Sequence, residues 1–174
     1  EWNRTEAEYP ADRCIHELVE VQVARTPDAV AVVFEDESLT YAELNERANR
    51  LAHHLVDLGV GPDTLVGICM ERGLDMVTSL VAILKAGGAY LPLDPDYPEE
   101  RLAFMLEDAG AEIVVTTSEL KDRVPEATTV VATDELEDAI AAHPATDDAA
   151  QVSRNSAPIS SPSDRENSAV RQPP

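Results

Sequence analysis

"LKAGGAYLPLDPDYPEERL", Leu84 to Leu102, decides how this chain is read. A helical run stops at Gly87-Gly88, the apolar stretch Ala89 to Leu93 follows, and Pro92, Pro95 and Pro98 arrive within seven residues. The glycine pair has two readings. A phosphate loop sets its glycines between a strand and the N-terminus of a helix, where free amides and the helix dipole favour an anion. Here the order is reversed, helix first and strand second, so orphan carbonyls would face the anion. A helix stop needs a residue at positive φ, which glycine supplies at little cost. The pair is therefore a terminator. Nothing else in the chain matches GxxxxGK[ST] or GxGxxG.

Outward from that stretch, the pattern alternates. Upstream, Ile15, Leu18, Val19 and Val23 recur at helical spacing until Pro27. Ala29 to Phe34 and Leu39 to Tyr41 read as short strands joined by a Glu-Asp-Glu turn. Thr40 and Glu43 fit a capping box opening a helix whose stripe is Leu44, Ala48, Leu51, Leu55 and Leu58, closed by Gly59 with Pro62 beyond. Leu65 to Met70 is an apolar run suited to a strand covered on both faces. A helix over Asp75 to Ala86 turns Met76, Leu80, Ile83 and Leu84 inward. Downstream, Pro98 suits a first helical position ahead of Glu99 and Glu100, and Leu102, Met105, Leu106 and Ala109 lead to Gly110. "EIVVTT" and "TVVAT" are further strands and "DELEDAIAAH" a short acidic helix. The fold class is α/β, a mostly parallel sheet with flanking helices.

Composition narrows the function. Among 174 residues, 13 basic stand against 34 acidic, a formal net charge of -21. Phosphate backbones and anionic membranes need Lys and Arg, so neither nucleic acid nor membrane is an expected partner. No apolar run approaches the ~20 residues that span a bilayer, and no signal peptide is evident at "EWNRTEAEYP". The chain reads as soluble and cytoplasmic. Cys14 and Cys69 have no metal-ligand spacing and suggest no disulfide framework. Three parts are expected: residues 1–12 a linker carrying Trp2 and Tyr9, residues 13–142 the folded unit, and residues 143–174 a disordered tail. From Ser153 the tail is rich in Ser and Pro, with Arg154, Arg165 and Arg171 outnumbering Asp164 and Glu166.

Candidate catalytic groups are weighed and set aside. Lys85, in a last helical turn, reads as a solvated complement to the dipole. His53 and His54 are adjacent on one helix and cannot bind a metal together; one is expected to face solvent and the other the core edge. Asp94, Asp96, Glu99 and Glu100 lack the spacing of a calcium loop and read as caps and solvated charge. Ser79 and Ser118 lack a G-x-S-x-G elbow and any arguable His or Asp partner. No catalytic, cofactor-binding or metal-binding residue is assigned.

"LTYAELNERANRLAHHL" (Leu39 to Leu55) followed by "LKAGGAYLPLDPDYPEERLAFMLEDAG" (Leu84 to Gly110) closely resembles the first two core motifs of nonribosomal peptide synthetase adenylation domains, members of the AMP-dependent synthetase and ligase family. "WNRTEAEYP" and "IHELVEVQVARTPDAVAV" look like the linker and leading helix that join a condensation domain to an adenylation domain. The resemblance runs from about Glu1 to Val131.

The resemblance implies a two-step reaction. An amino-acid carboxylate attacks the α-phosphate of magnesium ATP, giving an aminoacyl adenylate and pyrophosphate, and the acyl group passes to the phosphopantetheine thiol of a carrier domain. The implied partners are the remainder of the adenylation domain, an upstream condensation domain, a downstream carrier domain and the amino-acid substrate. The family's Ser/Thr/Gly-rich phosphate loop is expected where this chain reads "DAAQVSRNSAPISSPSDREN", which does not match it. The matched residues have structural roles in the family: Thr40 as cap, Gly87 and Gly88 as helix stop, Pro92 to Pro98 as rim. The chain is thus expected to be an N-terminal fragment, inactive alone and needing no cofactor itself. A second reading is a non-catalytic interaction module that complements or docks to a synthetase subunit.

Overall fold

The structure, a computed structural model, describes residues 12–125, 128–147 and 149. The expected linker, apart from Asp12, and the tail from residue 150 lie outside them. In chain order come α1 (Ile15–Arg25), β1 (Val30–Phe34), β2 (Glu37–Thr40), α2 (Tyr41–Asp57), β3 (Leu65–Cys69), α3 (Leu74–Lys85), β4 (Ala89–Leu93), α4 (Glu99–Ala109), β5 (Ile113–Thr116), a 3-10 turn at Lys121–Arg123, β6 (Thr129–Ala132) and α5 (Glu137–Ala141). β3 to β6 form one parallel sheet in the order β4-β3-β5-β6, while β1 and β2 make a separate antiparallel hairpin. The expected α/β class is what the chain adopts.

The inner strands β3 and β5 are covered on both faces, which explains their near-continuous apolar sequences. Val66, Ile68, Ile113, Val115 and Val131 pack with Leu51, Leu55 and Ile83 of α2 and α3. On the other face, Cys69, Leu93 and Val114 pack with Leu102 and Leu106 of α4. Pro92 lies on β4, a sheet edge, where its missing N–H costs no ladder bond.

α2 opens as the sequence predicts. The Glu43 amide donates to Thr40 Oγ1 at 3.2 Å, and the Thr40 amide donates to Glu43 Oε2 at 2.8 Å. Those hydrogen bonds from Thr40, the backbone one foremost, hold the Glu43 carboxyl below the usual range. Thr40→Ala is expected to cost about 1 kcal/mol in denaturant unfolding.

Three helices end alike. In α2, Gly59 N–H reaches Val56 O and Val60 N–H reaches Leu55 O. Gly87 and Gly88 repeat this on Leu84 and Ile83 after α3, and Gly110 and Ala111 on Glu107 and Leu106 after α4. Gly59, Gly87 and Gly110 all have positive φ. Each is a Schellman stop.

Several expectations shift. β2 begins two residues earlier than read, at Glu37, because the tight turn is made with Glu35 at φ 52°. Pro98 is the residue before α4 rather than its first. Leu58 is exposed, lying past the end of the α2 stripe. In α1 the expected inward residues Ile15 and Leu18 face solvent, whereas His16 is buried and Glu20 turns inward. His16 and Glu20 are four apart and share a face, and through Glu20 that face meets the buried ammonium of Lys85.

Candidate functional site

Two clefts among the described residues bear on function. One, of about 360 Å³, lies between α2, α3 and the β6–α5 connection, lined by Arg47, Arg50, Thr78, Asp134, Glu137 and Ile140. The other, of about 500 Å³, lies at the carboxyl ends of β3 and β4, lined by Glu71, Arg72, Asp94, Tyr97, Arg101 and Met105.

The rim of the second cleft is the proline-rich stretch. Asp94 Oδ1 accepts from the Asp96 amide at 3.0 Å, closing a local turn. Arg123 Nη2 donates to the Pro95 and Tyr97 carbonyls at 2.9 and 2.8 Å. The Arg101 guanidinium sits 3.8 Å from the Tyr97 ring centroid. Glu99 and Glu100 occupy the first turn of α4. Asp94 thus holds a turn, while Glu99 and Glu100 lie at the positive end of α4.

The remaining candidates separate. Ser79 is fully buried with its hydroxyl 3.7 Å from Met70 Sδ. Ser118, read as lacking an acidic partner, has one. Its amide donates to Asp134 Oδ1 at 2.8 Å and its hydroxyl to Oδ2, which tie the loops after β5 and β6 and lower the Asp134 carboxyl. The partner lies 16 residues on, beyond any local motif. Cys14 is exposed at the start of α1, while Cys69 is buried in β3, and burial pushes its thiol up. No three His, Cys, Asp or Glu side chains converge as a metal set among the described residues.

His53 and His54 each hold the same downstream segment. His53 Nε2 lies 3.2 Å from the Thr146 carbonyl oxygen, and His54 Nδ1 lies 3.3 Å from His143 Nε2. Both histidines of the pair are half-buried, so neither is the solvent-facing one expected. Burial foremost, then the neighbouring His143, lowers the His54 imidazole. A His held neutral by the fold binds fewer protons than the unfolded chain, so stability is lost as pH falls below about 6.5. His54→Gln is expected to flatten that slope between pH 7 and 5 in urea unfolding.

Lys85 overturns its reading as a solvated dipole complement. Its side chain is 1% exposed, and Nζ donates to Glu20 Oε1 at 2.6 Å and Asp147 Oδ1 at 3.0 Å. Asp147 also accepts from Asn45 and Asn49. Residues 143–147 and Ala149, expected within a disordered tail, are placed on the folded unit, and Ala149 is buried in the α2–α3 core.

With this geometry in hand, kinship is informative. A family model described as AMP-binding enzyme matches residues 19–173. The chain belongs to that family. It is 54% identical over 125 residues to a component of the linear gramicidin synthase of Brevibacillus parabrevis, a span covering 72% of this chain and 2% of that protein. It is 52% identical over 128 residues to a chondramide synthase of Chondromyces crocatus, 72% of this chain and 3% of the relative. Among solved structures, the AMPPNP-bound form of the nonribosomal peptide synthetase FmoA3 superposes with a TM-score of 0.74 at 41% identity, over 83% of this chain and 15% of that one. The N-terminal subdomain of Klebsiella oxytoca NpsA gives 0.67 at 25% identity, over 77% of this chain and 34% of that one. The chain therefore spans a fragment of the AMP-binding domain and a few per cent of its curated relatives. No described helix is long and apolar enough to cross a membrane.

Proposed function

We propose that this chain is the N-terminal part of an amino-acid-adenylating domain of a nonribosomal peptide synthetase. The parent reaction joins an amino acid and ATP as an aminoacyl adenylate, releases pyrophosphate, and passes the acyl group to a carrier thiol. The observation that carries this reading is the 54% identity to a linear gramicidin synthase. In support, Thr40, Gly87 and Gly88 occupy the cap and stop positions that the resemblance assigns them. The reading as a separate interaction module is not favoured beside these matches.

The described residues do not fit a magnesium triphosphate. The positive N-terminal ends of α2, α3 and α4 already carry Glu43, Asp75, and Glu99 with Glu100. In the second cleft, Glu71 and Asp94 offset Arg72 and Arg101, and Arg101 is stacked on Tyr97. ATP, magnesium and the carrier thiol belong in this proposal to the intact parent, as do the condensation and carrier domains.

Two assays test it together. The 174-residue chain alone is expected to give no ATP–pyrophosphate exchange above background. Residues 13–142, grafted in place of their counterpart in an active adenylation domain, are expected to keep exchange within about tenfold and leave amino-acid preference unchanged. Exchange by the isolated chain, or a folded but dead graft, would overturn the proposal.

A further inference from the structure

Lys85, Asn45 and Asn49 converge on one carboxylate oxygen. Asp147 Oδ1 accepts from Asn45 Nδ2 at 2.9 Å, Asn49 Nδ2 at 2.9 Å and Lys85 Nζ at 3.0 Å. The donors come from two helices: Asn45 and Asn49 are four apart on α2, and Lys85 ends α3. Asn49 and Lys85 are almost wholly buried, whereas the Asp147 side chain is 49% exposed. The receptor is thus built into the core and its occupant sits at the surface.

The surroundings reinforce it. Asn49 Nδ2 also donates to Ala145 O at 2.7 Å, and His53 lies against Thr146 O. Asn45, Asn49 and His53, four apart in succession, form a polar stripe of α2 that serves one short segment. Asn45 Oδ1 and Asn49 Oδ1 are buried without a hydrogen-bond partner among the described residues. Both amides thus turn an N–H rather than their oxygen toward the Asp147 carboxylate. Burial alone would raise the Asp147 carboxyl, yet the hydrogen bonds from Asn49, Asn45 and Lys85 outweigh it and hold the group below the usual carboxylate range. Glu20 takes another Lys85 N–H from the α1 side, so the cation is neutralised from both directions.

We propose that Asn45, Asn49 and Lys85 form a carboxylate-binding site, occupied in cis by Asp147, which seats residues 143–147 against α2 and α3. Lys85 is a positioning residue: it acts through Asp147 on the path of the backbone. The site accepts a small monocarboxylate once the aspartate is removed. None of this depends on nucleotide chemistry.

Chemical rescue tests the site directly. In the full chain carrying Asp147→Ala, the amides of His143, Ala145, Thr146 and residue 147 are expected to exchange hydrogen about tenfold faster or more, while amides of β3 and β5 keep their protection. Sodium formate should restore the slow exchange where sodium chloride at equal ionic strength does not. The rescue should vanish when Lys85→Met is added to Asp147→Ala. Unchanged exchange at 143–147, or equal effects of formate and chloride, overturns the proposal. If Asp147→Ala also exposes β3 and β5, the test passes to Asp147→Asn, which keeps the volume and removes the charge. There, faster exchange confined to 143–147 supports the site and parental exchange overturns it.

Discussion

Lys85→Met is expected to cost about 3 kcal/mol in denaturant unfolding, many times what an exposed helix-end lysine would cost. Methionine fills most of the space of the lysine stem, so packing is nearly conserved. What disappears is the cation between Glu20 and Asp147. Glu20, whose side chain is 19% exposed, is left as a largely buried carboxylate with its ammonium gone, and uncompensated buried charge is the costly outcome. Asp147 can turn toward solvent, which puts the loss at the lower end of the range for broken buried pairs. Adding Glu20→Gln to Lys85→Met should recover part of the loss, since the stranded charge is then gone. A cost under about 0.5 kcal/mol for Lys85→Met would place the lysine at an ordinary surface position.

This lysine also marks how far the sequence could be read. The elements whose causes are local were legible. A hydroxyl three residues before a glutamate gives the α2 cap, positive-φ glycines give the helix stops, and apolar runs give the parallel strands. The burial of Lys85 was not legible, because its partners stand 65 and 62 residues away and its own surroundings look like any helix end. The misread face of α1 follows from the same cause. Ile15, Leu18, Val19 and Val23 have the spacing of a core stripe, yet Lys85 needs a carboxylate, and Glu20 with His16 turns inward instead. Segment 143–147 reads as the start of a disordered tail because it is polar and short. One signal could have found its seat: Asn45, Asn49 and His53 repeat every four residues on α2, beside the leucine stripe, and asparagine is a poor choice for an idle helix surface.

The glycine pair that stops α3 is expected to split under mutation, one member being needed for its backbone and the other for its space. Gly87 has φ 86°, the left-handed region where asparagine is the best tolerated replacement. Gly87→Asn should therefore stay within about 0.5 kcal/mol of the parent, and Gly87→Val should cost more than about 1 kcal/mol. Gly88 answers to a different constraint. A Cβ there would lie 2.8 Å from Val60 Cγ1 and 3.1 Å from the Thr64 carbonyl oxygen. That carbonyl cannot retreat freely, because it accepts the Ala89 amide at 2.9 Å and so starts the pairing of β3 with β4. Nor can Val60, which is buried in the α2–α3 core. Gly88→Ala should cost about 2 kcal/mol, in the range for forcing a methyl into packed space. Val60→Ala in the Gly88→Ala background removes the closest clash, so the double variant should be more stable than the sum of the single losses. Strict additivity in that cycle would mean that space at Gly88 is not the constraint.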